Sequence, residues 1–248
     1  MVNSVWRVIG RALSKFIEFL FPSACPLCGA RVETHGELCA DCFGDFEWID
    51  GSKCDRCGYP LPIKTRGAKP AKCPACAAGA SKLGWMRSAC VYDDASRAAI
   101  LPFKHGGRVG YARFMSRAMI WALRDVRPDF DMVMPVPLAR RRLIHRTYNQ
   151  ATLLARPIAV AANVVLDVDC VMRRNRRDMG HMNARQRRQN IRGVFTVVHP
   201  ERIRGRKILL VDDVFTTGAT LDELRRVLMR AGAADVCGVT FARVARTV

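Results

Sequence analysis

Apolar positions along the chain fall into two spacings. Short continuous runs near residues 131–135, 207–212 and 236–244 have the length and β-branched character of buried strands. Stretches near 112–124, 149–162 and 221–231 place apolar residues three and four apart, the period of a helix with one buried face. In the last of these, Leu221, Leu224, Val227 and Leu228 share a face and Gly232 is the stop signal. Strand and helix patterns in alternation predict a parallel sheet covered on both faces, with ligands at the carboxyl ends of its strands. Segment 163–205 is expected to hold a strand pair and a mobile basic loop. At the start, Val5, Ile9, Leu13, Phe16, Ile17 and Leu20 fit one face of a helix ended by Pro22. Arg7, Arg11, Lys15 and Glu18 interrupt it too often for a secretory leader. Such a helix docks on the protein itself or, alternatively, lies on a membrane surface.

Composition divides the chain. It has 248 residues, half of them hydrophobic, enough for one or two globular domains and incompatible with a wholly disordered chain. No apolar run approaches the roughly 20 residues that span a bilayer. The net charge is +19, and 33 of the 41 basic residues are Arg, whose planar fork suits phosphate. Residues 1–80 hold 10 basic and 8 acidic residues, whereas 81–248 hold 31 and 14. Eight of eleven cysteines lie between Cys25 and Cys76. The expected organisation is therefore an amphipathic helix over 1–22, a cysteine-rich module over 23–80 and a basic α/β domain over 81–248.

The eight cysteines form four pairs of one spacing: Cys25/Cys28, Cys39/Cys42, Cys54/Cys57 and Cys73/Cys76. Each Cys-x-x-Cys turn presents two thiolates, and two turns complete a tetrahedral site. Gly29 and Gly58 supply the backbone freedom of the turns. Disulfides would need an oxidising compartment. A redox pair is usually single and starts a helix, and iron–sulfur proteins use other spacings. Structural zinc is the expectation, with adjacent or crossed pairing of the turns both open.

The strongest chemical signal is Ile208-Leu209-Leu210-Val211-Asp212-Asp213-Val214-Phe215-Thr216-Thr217-Gly218-Ala219-Thr220. An apolar strand ends in two carboxylates, then in a small hydroxyl-rich loop that opens a helix. Free N–H groups and the positive end of a helix dipole bind phosphate, and Thr hydroxyls add donors. Asp212 and Asp213 repel phosphate, so they face sugar hydroxyls or a divalent cation. Neither the P-loop pattern nor a dinucleotide Gly-x-Gly-x-x-Gly is present.

This run closely resembles the phosphoribosyl-pyrophosphate (PRPP) signature of type I phosphoribosyltransferases. Met132-Val133-Met134-Pro135-Val136-Pro137, Arg140-Arg141-Arg142, Arg146-Thr147-Tyr148-Asn149-Gln150, Phe103-Lys104-His105-Gly106-Gly107-Arg108 and Arg187–Phe195 are similar to stretches of the ComF family, in which zinc knuckles precede such a domain. Thr147 stands where that family usually has Gly. The resemblance implies the type I phosphoribosyltransferase fold, with Thr216, Thr217, Gly218, Ala219 and Thr220 on the 5′-phosphate. Asp212 and Asp213 would be the catalytic carboxylates, meeting the ribose hydroxyls directly or through Mg²⁺. Arg140, Arg141 and Arg142 would bind pyrophosphate, with a solvated basic face as their alternative, and Lys104 and Arg108 are weaker candidates for that anion.

The activity implied is displacement of pyrophosphate from PRPP by an unidentified acceptor. The alternative is a non-catalytic module of DNA uptake that binds single-stranded DNA and retains a loop for PRPP or another phosphorylated ribose. Between Arg173 and Lys207, 12 basic residues face only Asp178 and Glu201, more charge than a phosphoribosyl site needs. Other DNA-uptake proteins are expected partners in that case, and the chain is expected in the cytoplasm.

Overall fold

The computed structural model describes residues 22–62, 72–79, 82–126, 129–146, 148–174 and 191–245. The predicted N-terminal helix and most of the predicted basic loop, residues 175–190, lie outside them. The chain divides into two compact units, Met1–Asp45 and Phe46–Val248. The second cysteine group thus shares a unit with the sheet.

One local device occurs twice. In the first unit Cys25 N–H donates to Ala30 O at 2.7 Å and Gly29 N–H to Cys25 O at 2.9 Å, and Ala24 bridges Arg31. Helix α1 (Ala40–Gly44) follows, with Cys39 as its N-cap. In the second unit Cys54 N–H donates to Tyr59 O at 2.8 Å and Gly58 N–H to Cys54 O at 2.7 Å, and Lys53 bridges Pro60. Helix α2 (Pro74–Ala77) follows, with Cys73 as its N-cap. Gly29 and Gly58 adopt φ of +80° and +65°, a conformation that costs other L-residues about 1 kcal/mol or more.

The larger unit continues through β1 (Met86–Val91), α3 (Asp94–His105), α4 (Tyr111–Ala122), β2 (Met132–Pro135), α5 (Arg140–Arg146), α6 (Gln150–Ala162), β3 (Val165–Leu166), β4 (Val171–Arg173), β5 (Phe195–Val197), β6 (Lys207–Phe215), α7 (Ala219–Arg230) and β7 (Asp235–Arg243). Five strands form one sheet in the order β1-β7-β6-β2-β3, every pair parallel. Strands β4 and β5 make the expected pair, an antiparallel hairpin. From β2 the chain steps outward to β3, and from β6 it steps the other way to β7. The topological switch point, where loops part and leave a crevice, therefore lies between β2 and β6.

Alternation along the strands sorts the core. Ile208, Leu210 and Val236 bury against Leu221, Leu224 and Leu228 of α7, together with Met132 and Met134. Phe241 on the opposite parity stacks edge-on with Phe114 of α4 at 5.7 Å and with Phe46 at 5.9 Å. A two-residue period with both faces covered produces the continuous apolar runs seen in the sequence.

Two features depart from the sequence pattern. Strand β6 does not stop at the acidic pair. Pairing continues with Asp212 opposite Thr240 and Phe215 opposite Arg243, because β7 supplies hydrogen-bonding partners that apolar periodicity ignores. Strand β1 carried no apolar signature because it buries Arg87 and Ser88. Arg87 Nε meets Asp125 Oδ1 at 3.0 Å, and the Ser88 hydroxyl meets Thr240 at 2.8 Å. Its outer edge is covered by residues 46–49, with Ile49 N–H donating to Ala89 O and Val91 N–H to Glu47 O, each at 2.9 Å.

Helix starts follow side-chain chemistry. Asp93 and Ser96 form a reciprocal capping box before α3, each bond 2.8 Å. Asn149 caps α6, which ends at Asn163 in the left-handed region. On α7, buried Glu223 accepts from Gly193 N–H at 2.7 Å and from Arg226 Nε at 2.7 Å, tying the β5 side of the hairpin to the helix. The Arg226 bonds, with the Gly193 amide, hold Glu223 below the usual carboxylate range. Its contribution is complete above the unfolded pKa of about 4.3 and fades as pH falls through the folded value. Glu223→Gln is expected to cost about 2 kcal/mol at pH 7. In urea unfolding, the gap from the parent chain should close as pH drops below about 4.

Candidate functional site

The sulfur atoms settle the pairing of the knuckles. Cys25, Cys28, Cys39 and Cys42 form one group and Cys54, Cys57, Cys73 and Cys76 another, all ligand atoms in each within 4.8 Å of one another. Cys28 and Cys39 sulfurs lie 3.6 Å apart, as do those of Cys57 and Cys73. Zinc–sulfur bonds of about 2.3 Å in a tetrahedron put sulfurs about 3.8 Å apart, whereas a disulfide needs about 2.05 Å. All eight thiols are free, so the donor set fits structural zinc at two sites, pairing adjacent knuckles. The second group is wholly buried and packs with Leu83 and Met86.

A third cluster, Asp167, Asp169 and Cys170, has a different occupant. Arg202 reaches Asp167 at 3.1 Å and Asp169 at 2.8 Å, and Cys170 N–H and thiol both donate to Asp167. These contacts brace the β4–β5 hairpin.

The loop after β6 turns at Gly218, φ +75°, which is the N-cap of α7. A Cβ there would lie 2.8 Å from the Phe215 ring, so the turn needs glycine for conformation and for space. Gly218 has no side chain with which to cap this helix, and Ala219 N–H makes only a long bond, 3.5 Å, to Thr217 Oγ1. Thr217 and Thr220 border the turn half-buried, Thr216 is exposed and Ala219 buried.

Successive strand residues point to opposite faces, which separates the two carboxylates. Asp213 meets Lys104 Nζ of α3 at 3.0 Å. Asp212 accepts from Asp213 N–H at 2.9 Å. Desolvation and the Asp213 charge push Asp212 up to about 7, against that hydrogen bond and the charges of Lys104 and Arg173.

Lys104 is held from behind. Tyr148 donates its hydroxyl to Phe103 O at 3.0 Å, Gln150 donates to Lys104 O at 3.2 Å, and Asn149 donates to Val136 O at 3.1 Å. The Tyr-Asn-Gln triplet thus joins the end of α3 to the end of β2. It sets Lys104 rather than offering itself to a ligand. Arg140 is exposed on α5, while the side chains of Arg141 and Arg142 lie outside the described residues. Arg108 is exposed, its guanidinium 3.5 Å from the Tyr111 hydroxyl. The structure therefore brings Asp212, Asp213, the 216–220 loop and Lys104 together at the switch point. Sequence reasoning held Lys104 as a weaker candidate, and it counted Arg173, whose charge also acts on Asp212, only among the basic residues from 173 to 207.

Elemental analysis of the purified chain should find two equivalents of zinc. Cys54→Ser should remove one and lower the melting temperature by more than roughly 5 °C, because that site is part of the sheet unit's core. Cys42→Ser should also remove one and leave the sheet unit's transition in place.

Residues 16–77 match the model of the double zinc ribbon domain. DNA utilization protein YhgH of Escherichia coli O157:H7 is 30% identical over 229 residues, covering 87% of this chain and 94% of its own length. Competence protein ComFC of Bacillus subtilis is 26% identical over 221 residues, 84% of each chain. Competence protein F of Haemophilus influenzae is 29% identical over 142 residues, 54% of this chain and 62% of that one. Among solved structures, adenine phosphoribosyltransferase from Thermoanaerobacter pseudethanolicus aligns with 56% of this chain and 83% of that one, at 13% identity and a TM-score of 0.35. Glutamine PRPP amidotransferase from B. subtilis aligns with 59% of this chain and 27% of that one, at 16% identity and a TM-score of 0.33. No helix among the described residues is long and apolar enough to cross a membrane. Two cysteine tetrads ahead of a parallel sheet, carried at this identity over nearly the whole length of a relative, place the chain in the ComF family, with the competence proteins F and ComFC and DNA utilization protein YhgH.

Proposed function

We propose that this protein binds PRPP, or a closely related 5-phosphoribosyl ligand, at the switch point between β2 and β6. The observation that carries this is the start of α7 behind the left-handed Gly218 turn, bordered by the Thr217 hydroxyl, with Asp212 and Asp213 in the strand that leads to it. Amides of the loop and the Thr216, Thr217 and Thr220 hydroxyls take the 5′-phosphate, and Ala219 lets it approach the helix. Asp212 and Asp213 accept from the ribose hydroxyls. Lys104, already beside Asp213, and Arg140, Arg141 and Arg142, which follow β2 in the chain, are the cations for the pyrophosphate. Asp212 and Asp213 would hold Mg²⁺ carried in with the pyrophosphate, which would supply neutralising charge to the leaving group.

In the transferase form of this reading, the bond from the anomeric carbon to pyrophosphate oxygen breaks, and pyrophosphate leaves with the electron pair. A nitrogen nucleophile then bonds that carbon and loses its proton to solvent. The chain's own contribution is to hold the ribose between the phosphate loop and Lys104, and to present fixed positive charge where negative charge develops.

A second reading is supported by the charge on the hairpin and by the names of the relatives. Arg174 and Arg192, at the two stems of segment 175–190, are exposed, as are Arg204 and Arg206. Such a surface fits single-stranded DNA, with the phosphoribosyl loop as a ligand sensor, and other DNA-uptake proteins as partners.

Calorimetry with PRPP and Mg²⁺ tests the first reading. Saturable binding is expected, weakened at least about ten-fold, roughly 1.4 kcal/mol, by Thr217→Val and abolished by Asp213→Ala in folded protein. Affinity unchanged in Asp213→Ala removes the acidic pair from the site. Fluorescently labelled single-stranded DNA tests the second. Binding that weakens steeply with salt and survives Asp213→Ala supports it, and release of pyrophosphate on adding nucleobases supports the transferase.

A further inference from the structure

Arg243 closes β7 and is 4% exposed, yet none of the ion pairs among the described residues includes it. A buried guanidinium without a counter-charge is expensive. Three neighbours surround it. Its Nη1 donates to Cys57 O, and its guanidinium carbon lies 5.1 Å from the centre of the Tyr59 ring and 5.2 Å from that of Phe215. Its Nε is buried without a hydrogen-bond partner. Cys57 belongs to the second tetrad. Four thiolates around a divalent zinc carry a net charge of −2, which supplies the counter-charge that carboxylates do not.

The other side of Arg243 leads to the phosphate loop. Phe215 is its register partner across β6 and β7, and Val244 N–H donates to Phe215 O at 2.9 Å. Gly218 sits against the Phe215 ring so closely that a Cβ would collide with it. Tetrad, Arg243, Phe215 and Gly218 are thus joined by three consecutive contacts within one compact unit.

We propose that Arg243 is a positioning residue that couples the second cysteine tetrad to the phosphate loop, so that metal in that tetrad sets the geometry of residues 216–219. Loss of the metal leaves the guanidinium without its counter-charge, Arg243 leaves its place between Tyr59 and Phe215, and the Gly218 turn loses its backing. The first tetrad lies in the other unit and has no part in this. The consequence for ligand affinity rests on the phosphoribosyl reading of the loop, whereas the coupling itself does not.

Amide hydrogen exchange by mass spectrometry on the full zinc-loaded chain tests it, comparing peptides over 215–220 with those over 207–211. Arg243→Met, with zinc content checked at two equivalents, should exchange about ten-fold faster over 215–220 and unchanged over 207–211. Arg243→Lys, which keeps the charge, should recover part of the protection. Phe215→Leu leaves Arg243 and the cysteines in place and should loosen the same peptide, so it decides the matter if Arg243→Met fails to fold. Cys73→Ser should reproduce the loop effect and Cys39→Ser should not. Unchanged exchange over 215–220 in Phe215→Leu, or acceleration spread equally through β6, overturns the coupling. PRPP calorimetry on the same samples separates the two ideas. Absence of PRPP binding by the parent chain defeats the proposed ligand, while the exchange pattern still decides the coupling.

Discussion

Parallel pairing of β6 with β7, from Lys207 opposite Asp235 to Phe215 opposite Arg243, is the constraint on which the rest of the molecule depends. A slip of one residue would turn Ile208 and Leu210 away from α7 and exchange the residues packed on the two covered faces, so side-chain fit holds the register. That same register extends beyond the apolar run. It carries Asp212 and Asp213 into the ladder, sets Phe215 beside Arg243, and thereby decides where the Gly218 turn begins. Precision at the loop is inherited from packing several residues away.

Charge in this structure is managed by enclosure as much as by solvent. Arg87 is buried against Asp125, Glu223 against Arg226, Asp167 against Arg202, and Asp213 against Lys104. The first ties β1 to the turn after α4 and the last ties α3 to β6, whereas Glu223 and Arg226 lie one turn apart on α7. Arg243 is the exception, since its neighbours are two aromatic rings and a cysteine carbonyl. The cysteine group beside it differs accordingly from the one in the first unit. Both repeat the same knuckle and helix-cap device, but only the second is built into the core of the sheet.

Legibility in the sequence followed the kind of signal. Residues 208–211 and 236–242 face apolar surroundings on both sides, so their runs are continuous and easily seen. Strand β1 escaped notice because Arg87 and Ser88 interrupt its run, and their burial depends on Asp125 and Thr240, distant in sequence. In the candidate site, Asp212, Asp213 and the Thr-Gly loop were legible because the motif is local, one strand end followed by one helix start. Lys104 was only a weaker candidate there, because its placement depends on Tyr148 and Gln150 holding the end of α3.

The sequence by itself determined the alternating strand and helix elements, the four cysteine knuckles and the hydroxyl-rich loop after the acidic pair, since each rests on contacts within a few residues. Only the tertiary structure decided that adjacent knuckles share a tetrad, that β6 runs on past the acidic pair, and that Lys104 meets Asp213. It alone placed the second tetrad and the Gly218 turn on either side of one buried arginine. Spacing along a chain specifies what a segment can form, whereas sulfur distances, ion pairs and counter-charges depend on which segments the sheet brings together.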